Sequence, residues 1–170
     1  MFDRDGPVLG IDPGLSRCGY GVVARDRGAL HARSCGVIRT PPSEPLPERL
    51  RMLAIELADL IASVRPSSVA VERVLFQNNA RTAMSVGQAS GLALVAAAEA
   101  GIPVAQYSPN EVKLAVTGDG RADKAAVQEM VKRLLHLPVV PKPADAADAL
   151  ALACCHLSRM PLTARLQVVR

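Results

Sequence analysis

Apolar residues in the first forty positions occur in short runs separated by turn residues, a pattern typical of β-strands. Residues 8–12 form one such run, which ends on an acid and is followed by Pro13 and Gly14. Residues 18–25 and 33–39 have the same character, and a polar turn lies between them. We therefore predict a three-stranded antiparallel meander at the start of the chain.

Beyond residue 40 the apolar positions change to the 3.6-residue period of helices, interrupted by two more short apolar runs. Prolines between 41 and 47 mark the loop where the change occurs, and a strand at 68–72 again ends on an acid, Glu72. A Ser108-Pro109-Asn110-Glu111 capping box begins one of the later helices. We predict a helix, a strand, a helix, a strand and three helices at 46–64, 68–72, 80–100, 103–107, 108–116, 123–136 and 145–159.

This alternation predicts an α/β fold with a central, mixed five-stranded sheet flanked by helices. The chain has 170 residues, of which 49% are hydrophobic and 21% charged, values typical of one globular domain. It contains no internal repeat, linker or low-complexity tract. We expect residues 1–170 to form a single domain.

No segment has the pattern of a membrane span or a secretion signal. The longest apolar runs, at 92–98 and 149–155, are far shorter than the ~18 residues that a transmembrane helix needs. The N-terminal residues include Asp3, Arg4 and Asp5, which are not typical of a signal peptide. We expect a cytoplasmic protein without a membrane partner.

The cysteines and histidines lack the spacing of zinc ligands, which makes a zinc site improbable. We expect four reduced thiols and three structural histidines, at Cys18, Cys35, Cys154, Cys155, His31, His136 and His156.

Four acids stand in apolar surroundings where an ionised carboxylate is costly. Asp12 and Glu72 end buried strands, at the sheet edge where α/β proteins bind ligands. Asp145 and Asp148 share one face of the last helix, in a segment without other charges. Taken alone, that pair is explained by the helix dipole. Together, the four would repel one another unless divalent cations lay between them.

Oxygen ligands without histidine or cysteine select Mg²⁺ or Mn²⁺, and a pair of such ions suits hydrolysis of a phosphodiester. The formal net charge of +4 is a modest indication of a polyanionic partner. It becomes more positive if bound cations neutralise the four acids.

Four motifs, in this order and at this spacing, resemble those of the RuvC crossover junction endodeoxyribonucleases. They are Gly-Ile-Asp-Pro-Gly at 10–14, Val-Glu-Arg-Val at 71–74, Val-Gly-Gln-Ala-Ser-Gly at 86–91 and Asp-Ala-Ala-Asp-Ala-Leu-Ala at 145–151. The similarity covers about residues 8–157. The resemblance implies an RNase H-like fold and catalytic, metal-binding acids at Asp12, Glu72, Asp145 and Asp148.

The same resemblance implies a homodimer that binds four-way Holliday junctions in DNA recombination and repair. It implies symmetric nicking that depends on Mg²⁺, with two ions in each active site and Mn²⁺ as a substitute. It also implies that the protein works beside the RuvA–RuvB branch-migration complex.

Further DNA-binding residues follow from positions that match the family. An aromatic wedge is expected just after the catalytic glutamate, and Phe76 is our choice, with Leu75 assisting. An apolar anchor packed on the domain is an alternative role for Phe76. Lys113 and Lys124 stand where the family has lysines near DNA, although each alone would be interpreted as a solvated helix charge.

A dimer is expected because two matching phosphates must be cut while each chain supplies one active site. Small residues recur at helical spacing along 80–100, and Gly87 and Gly91 are the candidate contact residues. That face packs on its own sheet in the alternative interpretation. The tail at 160–170 is either a disordered arm that faces DNA or a frayed end.

Two other functions are compatible with parts of the sequence. A different RNase H-like nuclease, acting on RNA or an RNA–DNA hybrid, would use the same metals. An actin-like ATPase begins with a similar Ile-Asp strand but needs a second lobe, for which 170 residues leave no room. The motif at 87–91 favours the junction resolvases.

Overall fold

The computed structural model describes residues 6–74 and 80–160 of the chain. Within these ranges five strands form one sheet, with β1 at Val8–Asp12, β2 at Arg17–Asp26, β3 at Ala29–Arg39, β4 at Ser68–Glu72 and β5 at Val104–Tyr107. Their order across the sheet is β3-β2-β1-β4-β5. The first three strands are antiparallel, whereas β4 is parallel to β1 and β5 is parallel to β4. The predicted meander and mixed five-stranded sheet are therefore confirmed.

Helices cover both faces of the sheet. They are α1 at Leu46–Val64, α2 at Ala80–Glu99, α3 at Pro109–Thr117, α4 at Lys124–Leu134 and α5 at Ala144–Arg159. One hydrophobic core lies between the sheet and the pair α1 and α2, and a second lies between the sheet and the group α3, α4 and α5. In the part of the chain that the structure describes, no helix is long and apolar enough to cross a membrane.

Side-chain alternation along β1 divides its residues between the two cores. Leu9 and Ile11 are fully buried against the α1 and α2 layer, whereas Val8 is fully buried on the side of α5. Asp12 has the parity of Val8 and therefore points toward the α5 side. A strand covered on both faces must be almost wholly apolar, so an acid at its end is the exception.

The parallel pairing of β1 and β4 sets the position of the second strand-end acid. Val8 pairs with Ser68 and Ile11 pairs with Val71, and the same register continued by one residue places Asp12 beside Glu72. Both side chains lie on the α5 face of the sheet.

Glycines on this face allow α5 to approach the sheet closely. A Cβ atom at Gly10 would collide with the carbonyl oxygen of Ala149, and one at Gly19 would collide with that of Asp145. Gly19 is also the residue that pairs with Asp12 across β1 and β2. The first turn of α5 therefore lies directly over the end of β1.

The main differences from the predicted elements occur at the β2–β3 hairpin. β3 begins at Ala29 instead of residue 33, and β2 begins at Arg17 instead of residue 18. Arg27 and Gly28 form a two-residue connection in which both φ angles are positive, at 47° and 90°. The first residues of β3 include the exposed, polar His31, which gave no strand signal in the sequence. Other bounds differ by one or two residues, as helix and strand ends commonly do.

All four cysteines are free thiols, as predicted. Cys18, Cys154 and Cys155 are buried, and only Cys35 is exposed.

Candidate active site

The structure brings the four sequence-predicted acids together at one end of the sheet. Asp12 and Glu72 end β1 and β4, and Asp145 and Asp148 lie on the first turns of α5. Each of the other three carboxylates raises the pKa of Asp12 through its negative charge. The convergence follows from the β1–β4 register together with the close packing of α5 over Gly10 and Gly19.

Burial makes this cluster unfavourable for negative charge. Desolvation, followed by repulsion from Glu72, Asp148 and Asp145, raises the pKa of Asp12 to about 8. Burial also raises the pKa of Glu72, and a hydrogen bond with Asp12 offsets part of that rise. The pKa of Asp12 therefore lies above neutral pH, and Asp12 is hydrogen-bonded to Glu72. The two strand-end acids form a pair in which negative charge is unfavourable.

The two acids on α5 are paired with basic side chains. Arg17 donates to Asp145 Oδ2 from Nε at 2.7 Å and from Nη2 at 2.5 Å. Lys124 Nζ lies 2.6 Å from Asp148 Oδ2, and this hydrogen bond is the main reason that the pKa of Lys124 is raised.

Sequence reasoning identified Lys124 but missed Arg17. The predicted strand began one residue too late, so Arg17 was excluded from the pattern. Residues 17, 19 and 21 alternate along β2 on the face toward α5, and this alternation was the available signal.

A cleft of about 260 Å³ lies over the acids. Its polar lining consists of Asp12, Glu72, Asp148, Lys113 and Lys124, and α3, α4 and α5 supply apolar walls. Among the described residues, no carboxylate lies within ion-pairing distance of Lys113. The cleft therefore presents two cationic side chains beside an acidic floor.

Capped helix ends place both lysines. The Ser108 hydroxyl accepts from the Glu111 backbone N–H at 3.3 Å, and the Glu111 carboxylate accepts from the Ser108 backbone N–H at 2.8 Å. This reciprocal box begins α3, which carries Lys113. Asp123 caps α4 by accepting from the Ala126 N–H at 2.8 Å. Lys124 is the first residue of α4, where the helix dipole disfavours a cation, so its ion pair with Asp148 offsets that cost.

The donor set fits a hard divalent cation. It consists of four carboxylates, and burial followed by mutual repulsion, which raise the pKa of Asp12, makes their negative charge unfavourable without a cation. Within residues 6–74 and 80–160, no three histidine, cysteine or acidic side chains are arranged to hold one ion. Asp145 and Asp148 are instead oriented toward Arg17 and Lys124. Each of these two carboxylates contacts its basic partner through Oδ2, so metal binding by all four would set a divalent ion in competition with Arg17 and Lys124 for the same carboxylates.

Comparison with known proteins identifies the family. The family model described as "Crossover junction endodeoxyribonuclease RuvC" matches residues 8–156, most of the chain. The chain belongs to the RuvC family. Its similarity to curated family members extends over nearly its full length. The relative of that name from Streptomyces avermitilis is 56% identical over 163 residues, covering 94% of this chain and 92% of the relative. The one from Parafrankia is 53% identical over 161 residues, covering 94% and 90%.

Solved RuvC structures have the same fold. "T. thermophilus RuvC in complex with Holliday junction substrate" is 41% identical with a TM-score of 0.83, covering 89% of this chain and 92% of that one. The similarity to the yeast mitochondrial Holliday junction resolvase Ydc2 covers 91% of this chain and 80% of that one. Its TM-score is 0.66 at 16% identity, so this similarity supports the fold alone. The RuvC family and RNase H-like fold predicted from the sequence are confirmed.

The small residues of α2 in this RuvC family member lie outside the cleft, and they differ in how exposed they are. Ser90, another small residue of this helix, is buried, whereas a Cβ atom at Gly87 or Gly91 would meet nothing within 4 Å beyond its own stretch of helix. Met84 is 67% exposed and Val95 is 54% exposed, and helical spacing places both beside the two glycines. We call Met84, Gly87, Gly91 and Val95 the α2 stripe. Gly87 and Gly91 therefore have open space beside them, whereas Ser90 is buried.

Leu75 and Phe76, the expected wedge, lie outside the described residues, as does the tail at 161–170. The described chain before the wedge ends at Val74, two residues after Glu72.

Proposed function

We propose that this chain is a structure-specific endonuclease that resolves four-way Holliday junctions by paired symmetric nicks. The observation that carries the proposal is the convergence of Asp12, Glu72, Asp145 and Asp148 at one end of the sheet, beside a cleft that presents two lysines. Membership of a family described as crossover junction endodeoxyribonucleases supports the reaction. The T. thermophilus relative in complex with a Holliday junction substrate supports the choice of DNA.

The four acids would hold two Mg²⁺ ions, for which Mn²⁺ may be substituted in assays. Ions held there would supply Lewis-acid activation of the attacking water and charge stabilisation for the leaving 3′ oxygen of the phosphodiester. The protein's own contribution is to fix the carboxylates. Asp12 and Glu72 are held by strands in the centre of the sheet, and Asp145 and Asp148 are held by a helix that packs tightly against it.

A cleavage assay with three substrates tests this function. Labelled four-way junction, linear duplex and RNA–DNA hybrid are each incubated with the full chain, with and without Mg²⁺. We expect paired nicks in the junction only, with Mg²⁺ only. Cutting of the hybrid in preference to the junction would contradict the proposal and favour the alternative nuclease. Asp12→Asn is the control for a contaminating nuclease.

Lys113 and Lys124 are proposed to hold the DNA backbone over the acids. Each lines the cleft, and each would neutralise a phosphate. We expect Lys113→Ala and Lys124→Ala to weaken binding to all junction sequences and to reduce the log–log salt slope by about 1. Lys132→Ala is a suitable control because this lysine of α4 is paired with Glu129 and does not line the cleft. Unchanged slopes would make both residues ordinary surface lysines.

Phe76, assisted by Leu75, is proposed to separate bases near the cut. Both follow the cleft residue Glu72 closely in the chain. If the ring holds the junction open, Phe76→Ala will slow cleavage more than it weakens binding. Fluorescence of 2-aminopurine placed beside the cut site measures the unstacking directly. Equal cleavage rates and equal fluorescence in variant and wild type would support the apolar anchor.

We also propose a homodimer that uses the α2 stripe, and a partnership with RuvA–RuvB. Exposed apolar residues around two glycines allow the close approach of a second helix. The RuvA–RuvB partnership is tested by retention on an immobilised junction. We expect RuvA–RuvB and this chain to be retained on the same junction molecules, and mutual displacement would contradict the partnership.

A further inference from the structure

Arg17 is a basic residue beside the acid cluster, and no sequence motif marks it. It begins β2 on the face toward α5, and its guanidinium donates twice to one carboxylate oxygen of Asp145. The Arg17 side chain is 43% exposed and the Asp145 side chain is 27% exposed. Neither side chain lines the cleft, but the pair lies beside Asp12 at the same end of the sheet. Its partial exposure leaves the guanidinium room to turn toward solvent or a ligand.

The backbone beside Arg17 is fixed more firmly than its side chain. Thr40 Oγ1 donates to the Leu15 carbonyl at 2.6 Å, and Arg49 Nη2 donates to Ser16 Oγ at 2.5 Å. Arg49 Nε also donates to Thr40 Oγ1 at 3.0 Å, so α1 and the end of β3 together hold residues 15 and 16. Arg17 can consequently exchange partners by side-chain rotation while β2 stays in place.

The Asp145 carboxylate has two competing uses. In the structure it neutralises Arg17, and under the proposed function it would hold a divalent ion with the other three acids. Both Arg17 donations go to Oδ2 of Asp145, and a divalent cation on the same carboxylate would repel the guanidinium and withdraw charge from that oxygen. Occupation of Asp145 by an ion would therefore weaken its pair with Arg17 and free the guanidinium for another anion.

We propose that Arg17 is a positioning residue that holds Asp145 in the metal-free protein and transfers its guanidinium to a DNA backbone phosphate when a divalent ion takes Asp145. The inference rests on the proposed function of the cleft. A guanidinium suits this exchange because its planar donors match carboxylate and phosphate equally well. One side chain thereby couples metal binding to DNA binding.

Two measurements on the full chain test the proposal, with Arg17→Gln as the variant. Arg51→Gln is the matched control, because Arg51 is also an exposed arginine paired with a carboxylate, Glu48, but lies on α1 away from the cleft. The first measurement is Mn²⁺ binding without DNA, followed by electron paramagnetic resonance. We expect Arg17→Gln to bind Mn²⁺ about two- to fivefold more tightly, the range for removing one partly exposed ion pair. Arg51→Gln should leave the affinity unchanged.

The second measurement is the salt dependence of junction binding, with and without saturating Ca²⁺. Because the guanidinium reaches phosphate only after Asp145 is occupied, Arg17→Gln should lower the log–log slope by about 0.9 with Ca²⁺ and leave it unchanged without Ca²⁺. An arginine that only stabilises the fold would change neither slope. Equal slope changes in both conditions, or unchanged Mn²⁺ affinity, would overturn the inference.

Failure of the inference is distinguishable from failure of the proposed function. The metal centre itself is tested by Mn²⁺ binding to the wild type, which should be lost in Asp12→Asn. If the wild type binds Mn²⁺ and Arg17→Gln binds it equally, the role of Arg17 is wrong and the metal centre stands. If the wild type binds no Mn²⁺, both are overturned.

Discussion

At the scale of single residues, the main feature of the site is that four carboxylates lie together with only a few positive charges near them. Asp12 and Glu72 are hydrogen-bonded to each other, and Asp145 and Asp148 are each paired with a basic side chain. The charges of the four acids are thus offset by a proton and by basic side chains, where the proposed reaction would use divalent ions. Binding of divalent ions would replace the proton, the guanidinium and the ammonium together.

The first prediction concerns the four acids. Replacing any one of the acids by its amide should lower the nicking rate by more than about 100-fold. That figure is the upper end of the losses seen when a partner of a metal ligand, and not the ligand itself, is replaced. The four variants are Asp12→Asn, Glu72→Gln, Asp145→Asn and Asp148→Asn. Junction affinity should stay the same or rise, because an amide does not repel phosphate. Gel shifts in Ca²⁺ and nicking in Mg²⁺ measure the two effects separately. Asp59→Asn, an exposed acid on α1, is the control. A variant that nicks at the wild-type rate would remove its residue from the site.

The second prediction is a pH dependence of stability in the absence of divalent ions. The pKa of Asp12 is raised from 3.8 to about 8 in the folded protein, so between these values the folded state holds a proton that the unfolded state has lost. The stability that this proton contributes is complete below about pH 4 and is lost as pH rises toward 8. Relative to wild type, Asp12→Asn should therefore gain stability between pH 6 and pH 8. For a chain of this length, each gain of about 1 kcal/mol in the free energy of unfolding raises Tm by roughly 2–4 °C.

Thermal denaturation in EDTA, followed by circular dichroism, measures this difference. Saturating Mg²⁺ should diminish it by stabilising wild type, because ligands that bind only the folded state raise its stability. If the Tm of Asp12→Asn and wild type changed in parallel across this pH range, the Asp12–Glu72 proton would not be a stability determinant.

Individual site residues were predictable where a motif or an unusual placement marked them. Asp12 and Glu72 stand at the ends of apolar runs, and Asp145 and Asp148 interrupt an otherwise uncharged helix. Arg17 carries no such mark, because an arginine next to a turn is ordinary in sequence. Its role depends on the three-dimensional proximity of β2 to the first turn of α5.

At the scale of elements, the alternation of strands and helices and the α3 capping box were predictable because they depend on local sequence. The path of α5 across the sheet was not. It depends on Gly10 and Gly19, whose missing side chains leave room for the helix backbone. In the sequence these glycines look like ordinary strand interruptions, since their neighbour lies more than a hundred residues away.

The third prediction tests this close approach. A methyl group at Gly19 would collide with the Asp145 carbonyl, so Gly19→Ala must displace α5 or strain β2. We expect a loss of about 1–3 kcal/mol in the free energy of unfolding, as for other overpacked cores. Nicking should fall further than stability alone explains, because Asp145 moves with the helix. Urea denaturation and single-turnover nicking below the unfolding transition separate the two effects.

Gly120→Ala is the matched control for this variant. A Cβ atom at Gly120 would lie 3.6 Å from the Asn110 carbonyl oxygen, an ordinary contact. Its stability and nicking should remain near wild type. Equal stability of Gly19→Ala and Gly120→Ala would show that α5 tolerates a wider separation from the sheet.

At the scale of the whole molecule, the cleft and the α2 stripe have different neighbours. The cleft is walled by α3, α4 and α5, whereas α2 covers the other face of the sheet. A second chain could therefore pack on the α2 stripe without covering the cleft walls. Such separation is what two simultaneous cuts on a symmetric junction require.

The fourth prediction concerns assembly. The wild type should sediment near twice its 17.9 kDa chain mass, and Gly87→Arg should sediment as a monomer because the new side chain occupies the open space on the stripe. On a supercoiled cruciform plasmid, Gly87→Arg should produce single nicks where wild type produces linear product. Ser63→Arg, an equal change in charge at an exposed position of α1, is the control. A wild type that remains monomeric at micromolar concentration and still makes paired nicks would refute the dimer.

The central position of β1 also sets the order in which parts of the molecule open. Its amides are bonded to β2 on one side and β4 on the other, and Leu9 and Ile11 have no exposed surface. We therefore expect β1 to exchange its amide hydrogens only through global unfolding, whereas the outer helices α3 and α4 exchange through local opening. The acids that end β1 and β4 belong to the slowest-exchanging part, and the cleft lysines to a faster one. On gradual warming, the helices that carry the cleft lysines would open first. The protein would then release DNA while β1 and β4 still held Asp12 and Glu72 in place.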